Sequence, residues 1–109
     1  MTEKLLGKIE KVYFGDGGYQ GAQFGLTLCF YMSGSGITAF VNGGWKERPE
    51  SAQWTEQDRA IQQSNLCMKI IEILKKAKVD DVYKLKNIPV EVIVENGCLI
   101  SWRVLEEVL

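Results

Sequence analysis

Residues 22–41 read AQFGLTLCFYMSGSGITAFV, and their alternation decides the fold class. Ala22, Phe24, Leu26, Leu28 and Phe30 fall on one face of an extended chain, and Gln23, Gly25, Thr27, Cys29 and Tyr31 on the other. That is the pattern of a half-buried strand. Ser33–Gly36 (SGSG) then permits a tight reversal into a further strand, Ile37–Val41. Upstream, Leu5–Phe14 (LLGKIEKVYF) is rich in β-branched and aromatic residues and ends at the glycine cluster GDGGYQG, so it reads as the first strand of a three-stranded antiparallel meander. Ten of the eleven glycines lie in the first 44 residues, where strands need turns, and Asn42–Gly44 is read as a turn on the same ground.

Downstream the period changes. Thr55-Glu56-Gln57-Asp58 places a hydroxyl at the N-cap and a carboxylate three residues on, a capping box with Asp in place of Glu or Gln, so a helix starts at about Glu56. Ala60, Ser64, Cys67, Ile71 and Leu74 recur at helical spacing with Ile61 and Met68 beside them, and Leu66, Ile70, Ile73 and Ala77 form a neighbouring stripe. An apolar face so wide calls for a sheet to cover. Lys75, Lys76 and Lys78 complement the dipole at the helix end.

The last segment carries a hairpin signal, VEVIV and LISWRVL joined through Asn96-Gly97, with Pro89 confined to the beginning of the first strand. A two-residue turn there sets Val94 against Leu99 and Ile93 against Ile100, leaving both faces apolar. Either a bulge shifts the register or both faces are covered. The expected organisation is a single α+β domain over residues 1–109, in the order βββ-α-ββ, with one amphipathic helix packed on one face of an antiparallel sheet. The pattern does not decide the strand order.

Composition narrows the function classes. Thirteen basic against fourteen acidic side chains supply no broad positive field, which weighs against a nucleic-acid partner. The N-terminal segment MTEKLLGKIEK has no apolar core of a signal peptide, and no stretch is long and apolar enough to span a membrane, so a cytoplasmic protein without a membrane partner is expected. There is no histidine, and Cys29, Cys67 and Cys98 are far apart with no CxxC pair, which speaks for packed, reduced thiols and against a metal site or cofactor. No catalytic constellation emerges, and the chain is not expected to be an enzyme. Adjacent acids such as Asp80/Asp81 do not face each other across a cleft.

Two segments stand out as candidate binding sites. In GDGGYQG the amides of Gly17 and Gly18 can cradle an anion and Tyr19 can stack on a ring, although the spacing is not GxGxxG and the loop leads into a strand. A plain turn is the alternative. Trp45, Lys46, Arg48 and Trp54 lie on the polar stretch WKERPESAQW, and Trp and Arg are the side chains that most often anchor interfaces. The competing reading has the indoles capping the core edge, with Arg59 stacked on Trp54.

Three segments, GYQGAQFGLTLCF, WTEQDR and the ending VYKLKNIPVEVIVENGCLISWRVLEEVL, together resemble small, mostly uncharacterised proteins of tailed bacteriophages and prophages. In those, a GGYQ-type loop, a W-T-E-x-D-R helix start and an S-W-R-x-L ending recur. The resemblance spans most of the chain and carries over no catalytic residue. It implies an accessory protein that binds and inhibits a host protein, such as a component of antiphage immunity, in the manner of an anti-CRISPR or other anti-defence inhibitor. Its localisation is then the host cytoplasm. The alternative is a binder that sequesters a nucleotide immune signal on Gly17, Gly18, Tyr19, Trp45 and Arg48. The apolar C-terminal hairpin leaves room for self-association into a homo-oligomer.

Overall fold

The computed structural model describes residues 2–17 and 19–109, and for Tyr19, Asn42 and Gly43 the backbone only. The meander is built from β1 (Thr2–Gly17), β2 (Gln23–Met32) and β3 (Ser35–Trp45). The helix α1 (Glu56–Ala77) follows, then the hairpin of β4 (Pro89–Glu95) and β5 (Cys98–Val104). All pairings are antiparallel, in the order β3-β2-β1-β4-β5. Because β4 returns across the helix to lie beside β1, the first four strands form a Greek key. The expected α+β layout is present.

β1 is the hinge of the sheet. Its first half pairs with β4 (Thr2 with Glu95 through Lys8 with Pro89) and its second half with β2 (Gly7 with Met32 through Gly17 with Gln23). A bulge between Ile9 and Lys11 adds Glu10 as an extra residue. That extra residue exchanges the faces of everything after it. Leu5, Gly7 and Ile9 point inward, and beyond the bulge Val12 and Phe14 do so, opposite Leu28 and Leu26. Lys11 and Tyr13 are thereby turned to the outer face, opposite Cys29 and Thr27.

The core lies on the inner face. Leu26, Leu28, Phe30 and Met32 of β2 and Val90, Val92 and Val94 of β4 are buried there with Ile9, Leu85 and Val104. Trp102 packs its ring on Phe30 at 5.0 Å between centroids. From the helix it is Leu66, Ile73 and Ala77 that are buried, with Ile70 and Leu74 packed beside the core. The stripe of Ala60, Ser64, Cys67 and Ile71, expected to share in the burial, is exposed. At 100° per residue it is centred about 120° round the helix from Leu66, Ile70, Ile73 and Ala77, the side that packs on the core. Cys67 and Cys98 are exposed as well, and only Cys29 is half-buried, so the expectation of packed thiols holds for one of three.

The caps follow the sequence closely. Asp58 N–H donates to Thr55 Oγ1 at 3.1 Å and Thr55 N–H to Asp58 Oδ2 at 2.9 Å. In the hairpin, Asn96 and Gly97 both have positive φ, as a type I′ turn requires. A bulge between Ile93 and Val94 then keeps Val94 inside opposite Leu99 and puts Ile100 outside. Asn42–Gly44 corrects an expectation, since this segment continues β3. Gln23 pairs with Trp45 and Gly25 with Asn42, so one extra residue of β3 is accommodated as a bulge rather than a turn.

Candidate functional site

The two sequence-derived segments meet in space. Gln20 and Gly21, which end the glycine-rich segment, and Ala22 after them line a hollow of about 460 Å³ with Trp45, Lys46, Glu47, Arg48 and Pro49. Lys46 N–H donates to the Ala22 carbonyl at 3.0 Å and its ammonium pairs with Asp16 at 3.1 Å, which ties the loop to the end of β1. The Trp45 and Trp54 rings stack on each other, 6.3 Å between centroids and 25° between planes. Both are half-buried. Arg48 is turned inward to its own loop, Nε donating to the Trp54 carbonyl at 2.6 Å and Nη2 to the Ala52 carbonyl at 2.7 Å. Arg59 donates to the Lys46 carbonyl and to Glu56. Of the remaining candidates, Gly17 ends β1 and Gly18 lies outside the described residues.

A second surface, not singled out from the sequence, occupies the outer face of the meander. Cross-strand partners share a face, so the register sets Lys8 beside Tyr31, Lys11 beside Cys29 and Thr38, and Tyr13 beside Thr27 and Phe40. Three rings thus surround a floor of small side chains. Tyr13 is 54% exposed and Tyr31 44%. A Cβ on Gly15 would meet the Tyr13 ring carbon Cζ at 3.3 Å, and one on Gly17 would meet Phe40 Cζ at 2.6 Å. Each ring therefore lies over a glycine, and the missing side chain is what gives it room.

The floor opens on one side into a cavity of about 460 Å³ lined by Glu10, Lys11, Val12, Tyr13, Thr27, Cys29, Tyr83 and Lys86. Its far wall is positioned by short-range chemistry. Asp81 accepts the Tyr83 N–H at 2.7 Å and starts a single 3₁₀ turn, Val82–Leu85. Asn87 N–H then donates to the Ile9 carbonyl at 2.6 Å, and Ile9 N–H to the Ile88 carbonyl at 3.0 Å, so the turn is anchored at the β1 bulge. Tyr83 stands 63% exposed opposite Tyr13 across the cavity.

Charge on this face is divided between spent and unspent groups. Arg103 is held by Glu91 at 3.2 Å and by Glu107 at 2.9 Å, and these bonds raise the Arg103 pKa while lowering that of Glu107. Lys84 is engaged by Asp80 at 2.6 Å, a bond that raises the lysine pKa and lowers the carboxyl's. Lys8, Lys11 and Lys86 have no acidic partner within ion-pair distance among the described residues. In the same region no group of three or more His, Cys, Asp or Glu side chains could hold a metal ion, again among the described residues.

The polar face of β2 with Tyr31 on it was readable from alternation. The signal that joins it to Lys11 and Tyr13 is the bulge at Glu10, which alternation does not report. Comparison with protein-family models, curated proteins and solved structures returns no match. No helix of the described residues is long and apolar enough to cross a membrane.

Proposed function

We propose that the chain binds single-stranded nucleic acid on the outer face of β1, β2 and β3. The observation that carries this reading is the set of rings, exposed Tyr13 and Tyr31 with half-buried Phe40, laid around Thr27, Cys29 and Thr38 with the unpaired Lys8 and Lys11 between them. Ring faces stack on bases regardless of sequence, and ammonium groups follow the phosphates. A five-stranded, partly open Greek key is also the architecture of OB-type modules, which use this face and the loop between their first two strands for oligonucleotides. That parallel is an analogy of fold, and the side chains supply the argument. Gly17, where the glycine-rich segment begins to leave β1, then stands at one end of the platform. The expectation against nucleic acid came from the net charge, which averages over both faces. Here the relevant lysines are on the sheet.

The test is binding of a fluorescent single-stranded oligonucleotide, followed by anisotropy at low salt. Tyr13→Ala and Tyr31→Ala should each weaken binding by about 1–3 kcal/mol, roughly 5- to 150-fold, with the fold intact by circular dichroism. No binding by the wild type at about 50 mM salt, where phosphate contacts are strongest, would reject the reading.

A second reading follows the phage-type resemblance, in which the chain blocks a host protein. The hollow that joins Gln20–Ala22 to Trp45, Lys46 and Pro49 supports it, since a braced loop beside a concavity suits an anchor residue of a partner. In that case Trp45→Ala removes capture of a host protein and leaves oligonucleotide affinity unchanged. The nucleotide-sequestering alternative uses the same hollow and gives a thermal shift with nucleotides that Trp45→Ala abolishes.

A further inference from the structure

The helix has two apolar sides, and the sheet covers one. Ile61, Met68 and Ile71 are 52%, 65% and 53% exposed, large values for side chains of this kind on a helix that already buries Leu66, Ile73 and Ala77 elsewhere. With Ser64 they fall at positions 61, 64, 68 and 71, the alternating three- and four-residue spacing of a coiled-coil seam. Met68 and Ile71 border an apolar hollow of about 560 Å³ with Glu72, Lys75 and Lys76. A helix apolar on both sides is ordinarily covered on both.

We infer that this stripe is the interface of a symmetric dimer, the occupant being the same stripe of a second copy in antiparallel orientation. Two features of the helix select that occupant. The first is charge. Glu56 and Asp58 stand at the N-terminal end, Glu56 paired with Arg59, and Lys75, Lys76 and Lys78 at the C-terminal end, Lys76 paired with Glu72, so the ends keep a net negative and a net positive charge. An antiparallel copy brings the acidic end of each helix to the basic end of the other and opposes the two helix dipoles favourably. A parallel copy would set like charges together.

The second is size. With the two-fold axis at the level of Leu66, Ile61 shares a layer with Ile71 of the second copy, and Ser64 shares one with Met68. The small side chain then receives the long flexible one, so knobs meet holes. The contact is isologous and closes on itself, as a two-fold interface must. Since the stripe faces away from the sheet, pairing leaves both outer sheet faces open and does not depend on what they bind.

The test is the mass of the full chain in solution by light scattering and sedimentation, over roughly 1 µM to 1 mM, the range a small interface calls for. The wild type is expected to approach twice its 12.3 kDa monomer mass. Ser64→Glu and Met68→Lys, each checked for fold by circular dichroism, should both be monomeric. Mixing these two variants should restore a dimer, because the new carboxylate and ammonium meet in one layer. Met68→Leu should keep the wild-type mass. A wild type that stays monomeric throughout overturns the inference, as does a dimer that neither charged variant weakens. Variants that dissociate but do not recombine on mixing overturn the antiparallel alignment. A wild type that dimerises only with an unrelated host protein also overturns it, assigning the stripe to a foreign partner.

Discussion

At Gly44, buried near the end of β3, the backbone has φ +99°, and a Cβ there would collide with the Gln62 side chain from the helix. Gly97, at φ +78°, has open space around its missing Cβ. The two glycines face the same backbone constraint and different surroundings. Gly44→Ala should therefore cost about 2–3 kcal/mol, adding steric displacement to strain, and Gly97→Ala about 1 kcal/mol. Chemical denaturation midpoints rank them. Sequence reading takes Asn42–Gly44 for a turn and gives no sign of the Gln62 side chain over Gly44. At Thr55 sequence and structure agree, and Thr55→Ala should lower stability by about 1 kcal/mol, read from the same transition, by leaving the Asp58 N–H without its acceptor.

At the scale of elements, β5 is fastened to its surroundings by the Arg103 cluster with Glu91 and Glu107. The hydrogen bond from Arg103 is the leading cause that holds the Glu107 carboxyl below its ordinary value. A carboxyl with a depressed folded-state pKa stabilises the fold above its unfolded value, and the contribution is lost as pH falls through the folded one. The expected outcome is a Glu107 carboxyl that titrates below the usual glutamate range by NMR, and that returns to it in Arg103→Ala. The pair is solvent-exposed, so the accompanying change in stability is small. The helix tells a different story, since of its two stripes the one with Leu66, Ile70, Ile73 and Ala77 packs on the core and the one with Ala60, Ser64, Cys67 and Ile71 is exposed.

The whole molecule measures 45 × 33 × 19 Å, thin enough for a sheet with one helix layer on it. The helix leaves the other face of that sheet uncovered, and it is there that Tyr13, Tyr31, Lys8 and Lys11 gather. If nucleic acid lies on this face, Lys8, Lys11 and Lys86 are the groups that displace counterions from phosphate. Three such contacts give a slope of about −2 in a plot of log affinity against log salt for a single strand. Lys11→Ala should reduce that slope by about 0.7, whereas Tyr13→Ala should lower affinity at every salt concentration without changing it. A steep slope in the wild type would point to a wider basic surface than this one.

The sequence by itself determined what depends on local chemistry. The alternation around Leu26–Phe30, the Thr55 and Asp58 cap and the Asn96-Gly97 turn are each specified by neighbours within four residues, and each stands as read. Tertiary structure decided the rest. Glu10 looks like any exposed strand residue, yet its bulge exchanges the faces of β1, turning Val12 to the core side and bringing Lys11 and Tyr13 out beside Cys29 and Thr27. The choice between two helix stripes turned on which of them the sheet packs against. Arg48, legible as an exposed anchor, became a brace for its own loop once the chain around Ala52 and Trp54 closed over it. These outcomes depend on strand register and chain reversal, which follow from the sum of long-range contacts rather than from any short stretch of residues.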